Sequence, residues 1–243
     1  MSGTLVAVLV AAVLAGLGGL LVPTLVARIP EPEPVPEEER HEGEPPKVPY
    51  VDLAARPGLG VRSALVSALA AGLLGWSTGP DWSLLWLVPL TPVAVALAFI
   101  DWHTRLLPKV VVVPATTATV ALVVVVGLAT DARGPMARAL VALAVVFAFY
   151  WLLWWFLPRA GMGYGDVRLS ALVGLVLGWV GGSATLLGVW FGMAFFGVPG
   201  LALALVRRDR SLMRKAYPFG PAMLVGALAG LVWGTALAGR IWG

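Results

Sequence analysis

Apolar residues dominate this chain in long unbroken runs separated by short polar stretches, and no period-2 alternation competes with them. The first run extends from Thr4 to about Val26. Further runs predict helices at about Val61 to Trp76, Trp82 to Ile100, Val110 to Ala129, Met136 to Leu157, Leu169 to Val180, Ser183 to Val206 and Phe219 to Ala238. Most approach the roughly 20 residues that carry a helix across a bilayer, so the pattern predicts an all-α membrane protein, a polytopic bundle of about eight transmembrane helices. The run after Asp166 is short for a full crossing, and Gly181-Gly182 separates it thinly from the next. That leaves a re-entrant or strongly tilted segment open there.

Composition agrees with this pattern. The chain is 59% hydrophobic and 12% charged, with a mean hydropathy of +0.89. An ordinary soluble domain carries about twice that share of charged residues. The absence of cysteine excludes structural disulfides and Cys-ligated zinc or iron–sulfur sites. No basic residue precedes the first run and no small-x-small cleavage site follows it, so it is expected to be a retained anchor.

Between Arg28 and Arg62 the composition shifts to proline, glutamate and scattered basic residues, and every glutamate of the chain falls between Glu31 and Glu44. With so little apolar surface to bury, this stretch is expected to be a loosely extended loop with a solvated charge run. Three parts follow: an N-terminal anchor over 1–27, a Glu/Pro-rich loop over 28–60, and a multi-helix membrane domain over 61–243.

The distribution of basic residues orients these parts. With the N-terminus outside, the inner loops hold Arg28, Arg40, Lys47, Arg56 and Arg62, then Arg105 and Lys109, then Arg159 and Arg168, and then the cluster from Arg207 to Lys215. Only Arg133, Arg138 and Arg240 of the 17 basic residues then lie outside. Positive charge marks the cytoplasmic side, so this imbalance predicts the orientation. Trp76, Trp82, Trp102, Trp154, Trp155, Trp179 and Trp242 sit near predicted helix ends, where indoles anchor at the interface. The Gly/Ala series of the last helix, GALAGLVWGTALAG, suits close helix packing.

Two aspartates stand apart from the rest. Asp52, Asp81, Asp131 and Asp209 lie in polar loops, whereas Asp101 ends a long uncharged run and Asp166 opens another behind the glycine-rich turn Gly161-Met162-Gly163-Tyr164-Gly165. An acid at the edge of lipid is costly and marks a candidate functional site. Two helices separate Asp101 from Asp166, one out and one back, which returns them to the same membrane face. If they meet, they cannot both ionise easily, and two acids sharing a proton can hydrolyse an amide without a metal. Gly163 and Gly165 would let an extended peptide approach, and the positive end of the following helix would favour a charged Asp166. An Asp can equally be a plain N-cap. His103 has only His41 as a possible partner, so no metal site is expected. Pro89 and Pro92 are expected to kink the helix leading to Asp101.

These residues resemble a known family. GMGYGD followed by Val-Arg-Leu resembles the GxGD signature of the type IV prepilin peptidases, aspartic proteases embedded in the membrane. Phe99-Ile100-Asp101-Trp102-His103-Thr104-Arg105-Leu106-Leu107-Pro108 is similar to the family's first aspartate segment, and Tyr217-Pro218-Phe219-Gly220-Pro221 to the PFGP turn before its last helix. The likeness runs in order over roughly Trp82 to Trp233. It implies a peptidase that removes the leader of type IV prepilins and pseudopilins at the cytoplasmic membrane face. Asp101 and Asp166 match the catalytic positions. Gly163, Tyr164, Gly165, Pro218, Phe219, Gly220 and Pro221 form the implied substrate-binding loops.

Many bacterial members also methylate the new N-terminus with S-adenosylmethionine and carry paired CxxC motifs in the first cytoplasmic loop. This chain has no cysteine and a Glu/Pro-rich loop, so methylation is not assigned, and no cofactor is expected unless that activity exists. Expected partners are prepilin or pseudopilin substrates and membrane lipids, not nucleic acid, in the cytoplasmic (inner) membrane. Two other readings use the same residues. One is a proton- or cation-coupled transporter that conducts through the two acids; the other is an inactive homologue in pilus or secretion assembly.

Overall fold

The computed structural model describes residues 2–31, 48–156, 162–207 and 218–241. The central Glu/Pro-rich stretch, Arg159, the basic residues from Arg208 to Lys215 and Trp242 lie outside them. The described residues form helices α1 (Gly3–Leu20), α2 (Val22–Ala27), α3 (Tyr50–Ala54), α4 (Leu59–Thr78), α5 (Leu84–Thr104), α6 (Lys109–Ala129), α7 (Arg133–Phe156), α8 (Tyr164–Val180), α9 (Gly182–Arg207) and α10 (Gly220–Ile241). Six of them, α1, α4, α5, α6, α7 and α10, are long and apolar enough to cross a membrane. The chain is a multi-pass helical membrane protein.

Every long helix falls where an apolar run predicted one, but several details differ. The first run is two helices, because Pro23 in the opening turn of α2 lacks the N–H that would continue the α1 ladder. The flanks of the expected loop are ordered: Tyr50 and Leu53 of α3 are buried among Val22, Val26, Ile29, Ala96 and Ile100. Glu31 is not merely solvated. Its Oε1 accepts the Tyr50 N–H at 2.6 Å and the Val51 N–H at 3.3 Å, satisfying free donors at the start of α3. The helix leading to Asp101 runs unbroken through Pro89 and Pro92.

Helix α8 occupies the centre. Val167, Leu169, Leu175 and Leu177 on different sides of it are all buried, which a lipid-facing helix would not show. Its 17 residues span only about 25 Å at 1.5 Å per residue. Arg138 of α7 closes its far end, donating from Nε to the Gly178 carbonyl and from Nη2 to the Trp179 carbonyl, each at 2.9 Å. A cation at a helix C-terminus also complements the macrodipole. Trp179, expected as an interfacial anchor, is instead buried and packed edge-on to Trp86 at 5.0 Å, because the helix that carries it is central. Trp76, Trp82, Trp102 and Trp155 are exposed as expected.

The bundle is built from antiparallel pairs in near backbone contact. In the α1–α4 pair, a β-carbon on Gly19 would lie 2.5 Å from Ala64 Cα, and one on Gly75 would lie 2.8 Å from the Ala7 carbonyl oxygen. In the α9–α10 pair, Gly226 faces Gly192, Gly230 faces Gly188 and Gly234 faces Ala184. In the α7–α8 pair, Gly174 and Gly178 meet Ala142 and Ala139. Lipid tails are as apolar as leucine, so close van der Waals packing replaces the hydrophobic effect as the driving force between such helices.

This packing predicts a sharp contrast between two alanine substitutions in α10. At Gly230 the new β-carbon would sit 2.5 Å from Gly188 Cα, whereas at Gly239 nothing lies within 4 Å. Gly230→Ala should lower stability by about 1–3 kcal/mol in thermal unfolding of the detergent-solubilised protein. Gly239→Ala should leave it within about 0.5 kcal/mol.

Candidate active site

The α5–α6 turn begins the site. Helix α5 ends where Arg105 adopts a left-handed conformation (φ 54°), with its N–H closing on the Asp101 carbonyl at 2.8 Å. The chain then runs through Leu107 to Pro108, which fixes the start of α6. Asp101 thus lies in the last turn of α5 and Asp166 in the first turn of α8. Both are almost fully buried, at 4% and 6% exposure.

Each carboxylate is held by one backbone N–H. Asp166 Oδ2 accepts the Gly163 N–H at 3.0 Å, while its own N–H donates to the Gly163 carbonyl, also at 3.0 Å. This reciprocal pair secures the start of α8. Asp101 Oδ2 accepts the N–H of Gly220, the first residue of α10, at 3.0 Å. The Asp166 carboxylate thus lies at the N-terminus of its own helix and that of Asp101 at the N-terminus of α10, where the macrodipole favours negative charge. Among the described residues, Oδ1 of neither acid has a protein partner.

Leu107 ties the two halves together. A β-carbon on Gly165 would lie 2.9 Å from Leu107 Cβ, and one on Gly220 would lie 2.7 Å from Asp101 Oδ2 and 3.4 Å from Leu107 Cδ1. The start of α8, the start of α10 and the end of α5 thus close around one buried leucine. What the missing side chain of Gly165 makes room for is Leu107. Gly163 has space, its nearest neighbour being Asp166 Oδ2 at 3.7 Å.

The other singled-out residues frame the junction. Tyr164 packs edge-on to Trp154 at 5.1 Å, and the Arg168 guanidinium lies 4.6 Å from its ring centroid. Phe219 is buried between Phe196 and Tyr150. Pro218 leads into this turn, and Pro221 lines a cavity described below. Two site residues did not stand out in the sequence: Leu107, and Tyr150, which is fully buried, packs against Phe219 and has no hydrogen-bond partner for its hydroxyl among the described residues. Ala139, Ala142, Val146 and Tyr150 are the buried positions of α7 at helical spacing, and Ala139, Ala142 and Val146 meet α8.

A cavity of about 250 Å³ lies within the bundle, lined by Leu97, Leu169, Val173, Pro221, Leu224 and Leu228 among others. Its walls come from α4, α5, α8 and α10. Leu97 lies one turn before Asp101, Leu169 one turn after Asp166, and Pro221 beside Gly220, although neither carboxylate lines the cavity itself. Its lining is almost wholly apolar.

Fold and site together define a polytopic membrane protein that buries two carboxylates, from different helices, beside one leucine at the end of the bundle. The sequence model of the type IV leader peptidase family matches residues 88–201, which include both acids. The prepilin leader peptidase/N-methyltransferase of Pseudomonas putida is 32% identical over 184 residues, covering 74% of this chain and 62% of that protein. The protein of the same name from Aeromonas hydrophila is 31% identical over 173 residues, covering 71% and 58%, and that of Pseudomonas aeruginosa 28% identical over 197 residues, covering 78% and 66%. The chain thus resembles the type IV leader peptidase family over residues 88–201. It spans about three-fifths of the length of these curated relatives. No solved structure matches it.

The hydrogen bond from Gly220 to Asp101 gives the site a testable weak point. Gly220→Ala would press a methyl group onto Oδ2 of a buried carboxylate, and should cost about 1–3 kcal/mol in thermal unfolding. Gly163→Ala, with ordinary backbone angles and open space, should change stability by no more than about 0.5 kcal/mol.

Proposed function

We propose that this protein is a prepilin leader peptidase, an aspartic endopeptidase in which Asp101 and Asp166 activate one water between them. The observation that carries the reading is the burial of both carboxylates around Leu107, each fixed through Oδ2 by a backbone N–H. With Oδ2 held, Oδ1 of each acid is the atom available to water or substrate.

The chemistry follows from the shared proton. The ionised acid takes a proton from water as the oxygen attacks the scissile carbonyl, and the protonated acid donates a hydrogen bond to that carbonyl oxygen. Collapse of the tetrahedral adduct returns a proton to the leaving amine. Both acids are thereby reset without metal or cofactor. Tyr150, buried on α7 and packed against Phe219, closes that side of the site.

The substrate class is a membrane helix preceded by a leader, as the relatives' names imply for those proteins. The apolar cavity between α4, α5, α8 and α10, whose wall comes within one helical turn of each acid, supports a lateral path for such a helix, with its cleavage point at the membrane edge. The face is cytoplasmic. Arg56, Arg62, Arg105, Lys109 and Arg168 share the end of the bundle that holds the acids, whereas Arg133 and Arg138 lie at the other, which matches positive residues inside. In the cytoplasmic (inner) membrane this arrangement has eight crossings, α1 and α4 to α10, with the N-terminus outside. Methylation is not part of this proposal. A transporter fits less well, since both acids lie at one end of the bundle and not at its midplane.

Co-expression with a prepilin tests the reading. Asp101→Asn and Asp166→Asn should each lower cleavage by about 10²–10⁴-fold while the protein still inserts, and the double variant should be little worse than either. Cleavage should also peak between an acid and a basic limb, as a proton shared by a pair requires. Full cleavage by Asp166→Asn would end the proposal.

A further inference from the structure

A second cavity, of about 300 Å³, lies between the start of α4 and the last turns of α5, at the end of the bundle that holds the acids. It is lined by Arg56, Leu59, Arg62, Val66, Phe99 and His103, among others. Its rim is cationic and its floor apolar. Arg56 is held in place by two contacts: its Nη1 donates to His103 Nε2, and its guanidinium carbon lies 5.9 Å from the Phe99 ring centroid.

His103 has a fixed role in this arrangement. Its Nδ1 lies 2.7 Å from the Phe99 carbonyl oxygen. A carbonyl only accepts, so Nδ1 carries the proton and Nε2 is free to accept from Arg56. The imidazole is then neutral, and the rim charges are those of Arg56 and Arg62. Among the described residues neither guanidinium is in an ion pair.

The floor leads into the membrane. Val66 and Val95 line this cavity and also the apolar groove between α4, α5, α8 and α10. A ligand that satisfies both parts needs an anionic head at the membrane edge and a hydrocarbon tail. Free phosphate would leave the apolar floor uncovered, and a basic peptide would be repelled by the arginines. We propose that this cavity is a binding site for an anionic phospholipid, with the phosphate between Arg56 and Arg62 and one acyl chain along Val66 and Val95. Guanidinium suits the phosphate because its planar fork donates two parallel hydrogen bonds. The site is separate from the acids and does not depend on the peptidase reading.

Lipid binding to the detergent-solubilised full chain tests the site without any cleavage assay. Native mass spectrometry with phosphatidylglycerol and with phosphatidylcholine should show preferential retention of the anionic lipid. Arg62→Gln, which leaves the Arg56–His103 contact intact, should weaken phosphatidylglycerol binding several-fold. Arg56→Gln combined with Arg62→Gln should weaken it by about tenfold or more. Because an arginine variant could misfold, the unmodified protein supplies a second criterion in its thermal unfolding. Phosphatidylglycerol should raise the midpoint, and neither phosphatidylcholine nor inorganic phosphate should match it. Equal retention of both lipids, an equal effect of inorganic phosphate, or unchanged phosphatidylglycerol binding in folded Arg62→Gln would each overturn the proposal.

Discussion

The Gly220 N–H that reaches Asp101 across 119 residues of chain is the contact on which the site depends. It exists because α10 begins with no side chain. Any β-carbon at this position would occupy the space of the carboxylate oxygen itself, at 2.7 Å. An acid at the C-terminal end of its own helix faces an unfavourable dipole, and the start of a second helix offsets it. One buried hydrogen bond thus fixes the acid, the end of α5 and the start of α10 together.

The same economy of side chains recurs throughout the bundle. Glycine and alanine bring α1 to α4, α7 to α8 and α9 to α10 at distances that larger residues would prevent. Close packing on the α7 side holds α8 at the centre, where Arg138 closes its far end and Gly163 its near end. Rigid placement of α8 matters to the site because Asp166 rides on its first turn. On the α4–α5 side the packing leaves the apolar cavity. Tight contacts position the carboxylates, and the cavity wall begins one helical turn from each of them.

Much of this was legible in the sequence. Long apolar runs gave every long helix, since a helix facing lipid needs apolar residues all round. Asp101 and Asp166 stood out because acids beside such runs are costly. Contacts between distant segments were less legible. Leu107 is one leucine among many, and nothing local says that Gly165 and Gly220 would both close upon it. Tyr150 was hidden for a related reason: it continues a buried stripe on α7, and an apolar run conceals which of its faces turns inward. Trp179 misled because its place near a helix end is the same whether the helix is central or peripheral. Glu31 was taken for one of a solvated run, although its side chain caps α3, a role that depends on where Tyr50 lies in space.

The central claim is that two acids 65 positions apart in sequence face one another at a single junction. The chain's lack of cysteine makes this directly measurable. Asp101→Cys combined with Asp166→Cys can be treated in native membranes with a short bifunctional thiol reagent, alongside Asp131→Cys combined with Asp166→Cys as the pair placed at opposite ends of the bundle. The account predicts rapid intramolecular cross-linking of the 101–166 pair and none of the 131–166 pair. Failure of the first pair to cross-link, with both thiols shown to be reactive singly, would contradict it.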